Sequence, residues 1–375
     1  MNTKVKCGTR KKITYLITRG DIGGAQFHTL ALIEEFKQDY DVFLISGSEG
    51  VLVEQAKKNN VRVEIIPEVD SFRFLPAVLK LRKVIRQESP DLLNVHSSLA
   101  SFYGRVAAKM VNVKVLYTVH GWHFSHEPSK LKKLIKVGVE RCLKSVTNYW
   151  ITVSSFDYSL GSNYGLFKEN SAEAIPNGVK PSQHKCSYVK DLPLAVVFVG
   201  RATYQKNCEA AIRVLEYAGS NVHLTIYSSG DNIGSLQELL DKSAAKNKIK
   251  LVANEPNAAE RIRNYSVLLM TSRYEGMPLS VLEAMREGLA IVSTNVCGMS
   301  ELVDDGYNGY LLPENCEKEM AKVLDGFTSN FDRLNLMGQR SRKFFGEKFT
   351  LNKMLAANRK VYQKIIYYGF WVFVK

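Results

Sequence analysis

Short apolar runs rich in β-branched residues alternate along the chain with segments whose apolar residues recur at helical spacing. Strands separated by helices of this length predict right-handed βαβ units and a parallel, doubly wound sheet. Ligands of such sheets bind at the carboxyl ends of the strands. In the first half, the predicted strands lie at 12–19, 41–46, 91–97 and 113–121, and the predicted helices at 23–38 and about 99–110.

The alternation stops and then restarts in the second half. The segment 174–193 between the two halves is rich in Pro, Lys and Ser, lacks apolar periodicity, and is the best candidate for a linker. The sequence therefore predicts an α/β protein with two Rossmann-like domains facing a cleft, at 1–180 and 181–360. Residues 361–375 form a C-terminal helix or tail that packs on the first domain or on a membrane. The later predicted strands lie at 194–201, 222–229, 248–254, 265–272 and 289–295, with a helix at about 207–218.

The charge of the chain favours anionic partners. The 375 residues include 51 Lys and Arg against 37 Asp and Glu, a net charge of +14. Residues 1–190 hold 28 basic and 17 acidic residues, a net charge of +11, which leaves 23 and 20 for the rest. Phosphorylated substrates, a lipid surface and nucleic acid all fit this charge. No RNA-binding or helix-turn-helix signature interleaves aromatic and basic residues, so no nucleic-acid partner is expected.

Cysteine spacing and hydropathy bear on the compartment in which the protein is expected. The six cysteines include no C-x-x-C pair and no histidine at metal spacing, which argues against a disulfide framework and against zinc. No window approaches the roughly 20 apolar residues of a membrane-spanning helix. The basic N-terminus precedes an apolar run that is too short for a signal peptide. We therefore expect reduced thiols and a cytoplasmic protein.

Gly23 and Gly24 lie between the first predicted strand and its helix. The absence of side chains there allows backbone N–H groups and the helix N-terminus to approach an anion; an ordinary tight turn is the alternative. The spacing is not the G-x-G-x-x-G of a dinucleotide site, and no acidic residue ends the second strand to bind a ribose. A nicotinamide-dependent dehydrogenase is therefore disfavoured.

Arg201 and Lys206 follow the first predicted strand of the second half, in the segment VGRATYQKN. Two cations at the end of a strand suit a diphosphate, whose charge rises as it leaves a sugar. Basic residues are also common on loops, so their position alone leaves both interpretations open.

Two glutamates and a histidine are predicted to lie at the cleft. Glu275 precedes a helix that Pro278 is well suited to begin, and Glu283 lies inside that helix beside an apolar stripe. Ribose hydroxyls would satisfy Glu283, and a sugar lying across the cleft is within reach of Glu275. The alternative is a solvated Glu283 and a capping Glu275. His120 ends a predicted strand and points toward the same cleft, unless it is a buried structural histidine.

Assembled, these segments resemble glycosyltransferase family 4, which contains retaining enzymes of the two-Rossmann GT-B fold. Such enzymes move a sugar from a nucleotide diphosphate to an acceptor. The resemblance covers about residues 12–365 and is most specific in SRYEGMPLSVLEAMREGLAIVSTN at 272–295, which is similar to the E-x7-E motif of the family. The following segment, VCGMSELVDDGYNGYLLP, keeps the order of the family.

The resemblance implies a role for each matching residue. Glu275 matches the first motif glutamate, near the donor sugar, and Glu283 matches the second, on the ribose. Arg201 and Lys206 match the pair that binds the diphosphate. His120 matches the histidine near the transferred sugar, so the implied catalytic residues are Glu275 and His120.

Other parts of the site are implied by backbone segments. The family segment that lies against the donor phosphates is matched by Met277, Pro278 and Leu279. The first glycine loop of the family is matched by GGAQ, and its Asn-Gly turn is matched by IPNGV. The chain departs from the family at Asn207, where a glycine often follows the lysine, and at Cys297, where the first of two glycines is common. Neither departure removes a charged group.

The resemblance also implies a mechanism and a donor. We expect retention at the anomeric carbon, with the departing diphosphate helping to deprotonate the acceptor, and a UDP- or GDP-linked hexose or N-acetylhexosamine as donor. A D-x-D triplet occurs only at Asp39-Tyr40-Asp41, between a predicted helix and strand. We therefore expect neither an essential metal nor another cofactor.

Two segments suggest a membrane surface. The segment 130–145 combines apolar and basic residues in the way that is typical of a helix lying on anionic lipid. The alternative is a surface helix of the first domain whose apolar side packs inward. The aromatic segment 365–375 either packs across the domains or lies at an interface. Both favour a peripheral enzyme with a saccharide or lipid-linked saccharide acceptor, acting in bacterial surface-polysaccharide assembly. The apolar set of 130–145 is Leu131, Leu134, Ile135, Val139 and Leu143.

Three alternatives share parts of this description. A nucleotide-sugar epimerase has the same two-domain architecture and would convert the donor without an acceptor. A non-enzymic protein that binds anionic ligands would account for the charge. A glycogen-type phosphorylase shares the fold, but nothing identifies a lysine for pyridoxal phosphate and the chain is short for that class.

Overall fold

The computed structural model of the protein describes residues 10–21, 23–184 and 193–368. In these ranges the chain divides into two compact units. The N-terminal unit contains the residues up to Ile175 and those from Leu355 onward, and the C-terminal unit runs from Pro176 to Met354. Parts of the predicted linker and tail, 185–192 and 369–375, lie outside the described residues, as do Cys7 and Cys186.

The N-terminal unit is built around one parallel sheet. Its strands are β1 (Lys12–Ile17), β2 (Asp41–Ser46), β3 (Arg62–Ile65), β4 (Leu92–His96), β5 (Val115–Val119), β6 (Tyr149–Thr152) and β7 (Ala172–Ala174). Among the described residues they lie in the order β3-β2-β1-β4-β5-β6-β7, and all neighbours are parallel. Every residue of the central strands β4 and β5 is buried, as expected where helices cover both faces.

Helices connect these strands. They are α1 (Gly24–Phe36), α2 (Val51–Lys58), α3 (Phe74–Glu88), α4 (Ser98–Val111), α5 (Lys130–Leu143) and α6 (Ser155–Asn163), with 3-10 turns at Pro67–Asp70 and Lys144–Val146. The core between sheet and helices includes Leu93, Val95, Tyr103 and Tyr117. The predicted strands and helices of this half are all present, so the local pattern predicted the unit.

The C-terminal unit repeats the arrangement. Its strands are β8 (Leu194–Val199), β9 (Val222–Ser228), β10 (Ile249–Ala253), β11 (Val267–Met270), β12 (Ala290–Thr294) and β13 (Gly309–Leu312). Their order among the described residues is β10-β9-β8-β11-β12-β13, again all parallel. The expectation of two doubly wound α/β sheets is confirmed. The helices are α7 (Cys208–Tyr217), α8 (Ile233–Lys242), α9 (Ala258–Arg261), α10 (Leu279–Glu287), α11 (Glu317–Ser329) and α12 (Phe331–Lys348), with 3-10 turns at Lys246–Lys248, Ile262–Asn264 and Cys297–Glu301.

The last helix, α13 (Leu351–Gln363), is followed by a π-helical turn at Lys364–Tyr368. From Leu355 onward it belongs to the N-terminal unit. The buried ring of Tyr362 packs 4.6 Å from the ring of Phe36, and its hydroxyl accepts a hydrogen bond of 2.7 Å from Asn94. This segment therefore completes the hydrophobic core of the N-terminal unit, although it comes last in the chain.

A glycine allows two segments of the C-terminal unit to approach closely. The backbone of Val179 exchanges hydrogen bonds with Phe349 and Leu351 at 3.2 and 2.9 Å. A Cβ atom at Gly178 would lie 2.6 Å from the carbonyl oxygen of Thr350. The glycine of the predicted IPNGV turn is thus required by the crossing of two backbones.

Candidate functional site

Lys206 and Glu275 meet at the carboxyl edge of the C-terminal sheet. The strands that precede them, β8 and β11, are neighbours in the sheet, so the loops that follow these strands are adjacent. The Nζ atom of Lys206 donates to Oε1 of Glu275 at 2.6 Å. The two side chains are only 17% and 5% exposed, so a charged pair is held largely out of water.

Further contacts join the same two loops. The backbone N–H of Arg273 donates to the carbonyl of Gln205 at 2.8 Å, and the Gln205 amide donates to the carbonyl of Tyr274 at 3.0 Å. The guanidinium of Arg273 stacks 4.1 Å from the ring centroid of Tyr204. Because each loop holds the other, the position of Lys206 relative to Glu275 is fixed.

The backbone around Lys206 explains one departure from the family pattern. Asn207 has φ 51° and ψ 48°, the left-handed conformation that favours glycine, and asparagine is among the residues that tolerate it best. Its carbonyl accepts a hydrogen bond of 2.9 Å from the Thr271 hydroxyl. Asn207 therefore keeps the turn that a glycine would make. Cys297, the other departure, also has a positive φ, of 47°.

Arg201 lies five residues before Lys206 in the chain and carries a second positive charge. Its side chain is exposed, and no described residue forms an ion pair with its guanidinium. A basic group that is not neutralised within the protein is available to an anionic ligand. Arg201 and Lys206 thus differ, because one is exposed while the other is already held by a carboxylate.

The helix that starts beside Glu275 has an open N-terminus. α10 begins at Leu279, one residue later than predicted, and Pro278 precedes it in an extended conformation. No side chain caps this end and its first turn contains no acidic residue. The Asn177 amide donates to the carbonyl of Met277 at 2.9 Å and fixes the approach to the helix. Such an N-terminus favours an anion electrostatically.

Glu283 lies one and a half turns into α10 and is partly buried. Burial raises the pKa of its carboxyl to about 7; Arg286 opposes the rise and Glu287 adds to it. Its carboxylate accepts no hydrogen bond and forms no ion pair with the described residues. Solvent or a ligand hydroxyl would supply the missing donor to this partly buried carboxylate.

The glycine loop of the N-terminal unit is shaped by Gln26. Gly23 precedes α1 and Gly24 is its first residue. The Gln26 amide donates to the carbonyl of Arg19 at 3.1 Å, and a Cβ atom at Gly23 would lie 2.5 Å from Gln26 Oε1. The start of α1 has neither a side-chain cap nor an acidic residue, so it is open to an anion in the same way as α10.

His120 is part of a cluster of three histidines that sequence reasoning did not find. It follows β5, and its Nε2 atom lies 2.9 Å from Nδ1 of His96, the last residue of β4. The ring of His28, on α1, meets the His120 ring edge-on at 4.9 Å. The available signal was that two consecutive buried runs, LLNVH and VLYTVH, both end in histidine.

The described residues contain no group of three or more His, Cys, Asp or Glu side chains arranged to hold a metal ion. The D-x-D triplet lies at the junction of α1 and β2. Asp39 pairs with Arg359, and Asp41 lies 3.6 Å from Lys12. Cys142, Cys208, Cys297 and Cys316 form no disulfide within the described residues.

The helix α5 exposes most of its apolar residues. Leu131, Leu134 and Ile135 are 68%, 65% and 58% exposed. The buried side of the helix contains Glu140, which pairs at 2.8 Å with the fully buried Arg105 of α4. Val137 and Leu143 are buried on the same side, so the alternative of an apolar side packed inward holds for part of the helix only. No helix within the described ranges is long and apolar enough to cross a membrane.

Comparison with known families identifies the chain. Residues 22–183 match the profile described as Glycosyltransferase Family 4, and residues 181–344 match the one described as Glycosyl transferases group 1. The chain belongs to glycosyltransferase family 4. The two profiles correspond to the two sheets, and the epimerase, the phosphorylase and the non-enzymic protein are set aside.

Two relatives match this chain over nearly their whole length. The O-antigen biosynthesis glycosyltransferase WbnH of Escherichia coli is 28% identical over 341 residues, 90% of this chain and 97% of the relative. A second Escherichia coli protein, described as UDP-Gal:alpha-D-GlcNAc-diphosphoundecaprenol alpha-1,3-galactosyltransferase, is 25% identical over 357 residues, 88% and 92% of the two chains.

The solved structures agree with the fold. The crystal structure of Anabaena HepE in complex with UDP-glucose aligns with a TM-score of 0.81 at 16% identity, covering 94% of this chain and 99% of that one. At this identity the likeness establishes the fold alone. The architecture is that of the GT-B glycosyltransferases.

Proposed function

We propose that this family 4 glycosyltransferase transfers a hexosyl or N-acetylhexosaminyl unit from a nucleotide diphosphate sugar to a saccharide acceptor, with retention at the anomeric carbon. One observation carries the proposal. The Lys206–Glu275 pair lies in the loops directly before two uncapped helices, α7 and α10, in the C-terminal unit. Family membership supports the transfer reaction, and this geometry supports the donor site.

The proposal gives a role to the donor-binding residues of the C-terminal unit. Arg201 and Lys206 bind the diphosphate, whose negative charge increases as the bond to the sugar breaks. The backbone of Met277 to Leu279 and the N-terminus of α10 bind the same phosphates. Glu283 accepts hydrogen bonds from the ribose hydroxyls. Its unsatisfied carboxylate is the feature of the structure that supports this assignment.

The reaction needs no enzymic nucleophile in this proposal. The departing diphosphate accepts the proton of the attacking acceptor hydroxyl on the face from which it leaves, so the new bond forms on that face. Glu275, oriented by Lys206, contacts the donor sugar, and His120 contacts the transferred sugar. The positive charges that stabilise the leaving group come from side chains, and no metal is included.

A UDP-sugar is the proposed donor. HepE was crystallised with UDP-glucose, and the name of one relative includes UDP-Gal as its donor. These two observations favour UDP over GDP. We further propose a lipid-linked acceptor in the assembly of a bacterial surface polysaccharide. The name of that relative includes a diphosphoundecaprenol acceptor, and that of WbnH includes O-antigen biosynthesis.

The exposed face of α5 supports a peripheral position on the membrane. Its exposed leucines and isoleucine adjoin Lys130 and Lys132, which are exposed as well. Apolar side chains can enter the interface of a bilayer while the lysines bind anionic head groups. Such an arrangement would place the enzyme at the surface where a lipid-linked acceptor lies, on the cytoplasmic side.

A donor screen tests the proposal. Purified protein is mixed with UDP- and GDP-sugars and a diphospholipid-linked N-acetylglucosamine, and both the stabilisation on heating and the transferred sugar are measured. We expect one UDP-sugar to stabilise the protein and to be transferred with retained configuration, as read by NMR of the product. Arg201→Ala should lose both effects. Arg213→Ala, which removes a cation paired with Glu317 in the same unit, should lose neither.

Conversion of the donor without an acceptor, or an inverted product, would contradict the proposal. Equal losses in Arg201→Ala and Arg213→Ala would contradict the placement of the diphosphate.

A further inference from the structure

Three histidine rings meet at the carboxyl edge of the N-terminal sheet. His96 is fully buried, His28 is 3% exposed, and His120 is partly exposed. The planes of His96 and His120 are nearly parallel at 27°, and Nδ1 of His96 and Nε2 of His120 are at hydrogen-bond distance, 2.9 Å. One proton occupies this contact, so each ring restricts the tautomer of the other.

The surroundings of His96 indicate where the proton lies. Its other ring nitrogen, Nε2, is buried and has no hydrogen-bond partner among the described residues. Buried backbone N–H groups without an acceptor are rarer than under-satisfied carbonyl acceptors, and by the same reasoning we assign Nε2 as the unprotonated nitrogen. His96 then carries its proton on Nδ1 and donates it to Nε2 of His120. A neutral His120 must therefore carry its own proton on Nδ1.

The cluster keeps these rings uncharged. Burial and the nearby histidine rings hold the pKa of both His96 and His120 well below the usual value. Among the described residues the titratable groups that act on the two rings are the three histidines themselves, and none of these residues supplies a carboxylate that would stabilise an imidazolium. Near neutral pH His120 is thus a neutral ring with one N–H and one accepting nitrogen, and the accepting nitrogen is already occupied.

We propose that His96 is a positioning residue that fixes His120 in the tautomer protonated at Nδ1, so that His120 offers a hydrogen-bond donor to an oxygen of the transferred sugar. This inference rests on the proposed function for the contact of His120 with that sugar. It also defines what His120 does there, because a nitrogen that carries a proton in a neutral ring donates and does not act as a base.

The backbone after His96 supports a functional position. Ser97 has φ 64° and ψ 153°, a region that residues other than glycine rarely adopt. Its hydroxyl forms a hydrogen bond of 2.7 Å with the hydroxyl of Thr18 and accepts one from the Thr18 backbone at 3.1 Å. A conformation of this kind persists only where its surroundings enforce it. Here it sets the direction of the chain where His96 enters the cluster.

Asparagine and leucine at position 96 separate the hydrogen bond from packing. In His96→Asn the amide N–H takes the place of Nδ1–H and can still donate to His120. His96→Leu fills the space without a donor. Asn94→Ala serves as the matched control, since Asn94 is a buried polar residue two positions earlier on β4 that bonds Tyr362 and Thr118 and not His120.

The tautomer is measured by NMR of protein labelled with ¹⁵N-histidine, with His120 assigned from the spectrum of His120→Ala. We expect the Nδ1-protonated form in the wild type, His96→Asn and Asn94→Ala, and a shift toward the Nε2-protonated form in His96→Leu. Transfer should fall about tenfold in kcat/KM for His96→Leu, as for one lost hydrogen bond, and less than about threefold for His96→Asn.

A wild-type His120 protonated at Nε2, or a tautomer unchanged in His96→Leu, would overturn the inference. The proposed role of His120 fails separately, if His120→Ala transfers sugar at the wild-type rate. The spectrum is read without substrate, so the two failures are distinguishable.

Discussion

Lys206 offers the sharpest test of the donor site, because its charge has both a structural and a catalytic consequence. Its Nζ atom lies 2.6 Å from a Glu275 carboxylate that is 5% exposed. Lys206→Met keeps the aliphatic stem, which lies against Gly200, and removes the charge. The Glu275 carboxylate, left without its partner, should lower the free energy of unfolding by about 1–3 kcal/mol. This cost is less than for a fully buried pair because Lys206 is partly exposed.

The catalytic loss should be larger than the structural one. Removing a cation that stabilises the departing diphosphate is expected to lower kcat roughly 10²- to 10³-fold, equivalent to about 3–4 kcal/mol. The assays are thermal unfolding without ligand and initial rates of sugar transfer. In the double variant Lys206→Met/Glu275→Gln the buried charge is gone, so stability should recover while the transfer rate should not.

The recovery of both properties in the double variant would refute this reasoning, since the loss of rate would then follow from misfolding alone. An unchanged kcat in Lys206→Met would refute the contact with the diphosphate. Arg213→Met is the control for removal of a paired cation elsewhere in the unit.

Other predictions concern Glu283, α5 and metals. The pKa of Glu283 is raised to about 7, so ionisation of its carboxyl lowers the folding stability of the wild type as pH rises. The stability of Glu283→Gln relative to the wild type should therefore grow from pH 5 to pH 8. A difference in unfolding temperature between the two proteins that stays constant over this range would contradict this prediction. Donor affinity should instead fall about tenfold in this variant. Leu134→Glu/Ile135→Glu should abolish flotation with anionic vesicles, whereas Leu336→Glu, at an exposed leucine of α12, should not. Chelators should leave transfer unchanged; loss of transfer that Mg²⁺ or Mn²⁺ restores would show that a metal is required.

The sequence predicted the elements of the fold because their signals are local. Apolar periodicity placed the strands and helices of both sheets, and strand ends placed Arg201, Lys206, Glu275 and His120 at the carboxyl edges. It did not reveal that Lys206 pairs with Glu275, since the two are 69 positions apart and meet only because β8 and β11 are neighbours. For the C-terminal segment the sequence left packing on the first domain and contact with a membrane as alternatives, because the choice depends on tertiary packing, which returns the chain to the N-terminal unit from Leu355.

The orientation of α5 shows why periodicity alone is insufficient. A hydrophobic pattern would turn the whole apolar set toward the core, yet the structure buries Glu140 together with Val137 and Leu143. The side chains of Leu131, Leu134 and Ile135 stay exposed. The reason lies on α4, where the fully buried Arg105 bonds Ser101, stacks 4.6 Å from the Tyr117 ring and requires a carboxylate. Breaking this buried pair would cost roughly 3–5 kcal/mol. The buried charge pair therefore contributes, together with Val137 and Leu143, to the choice of the face of α5 that meets the core. The exposed apolar face that results is the one that our proposal places on a membrane.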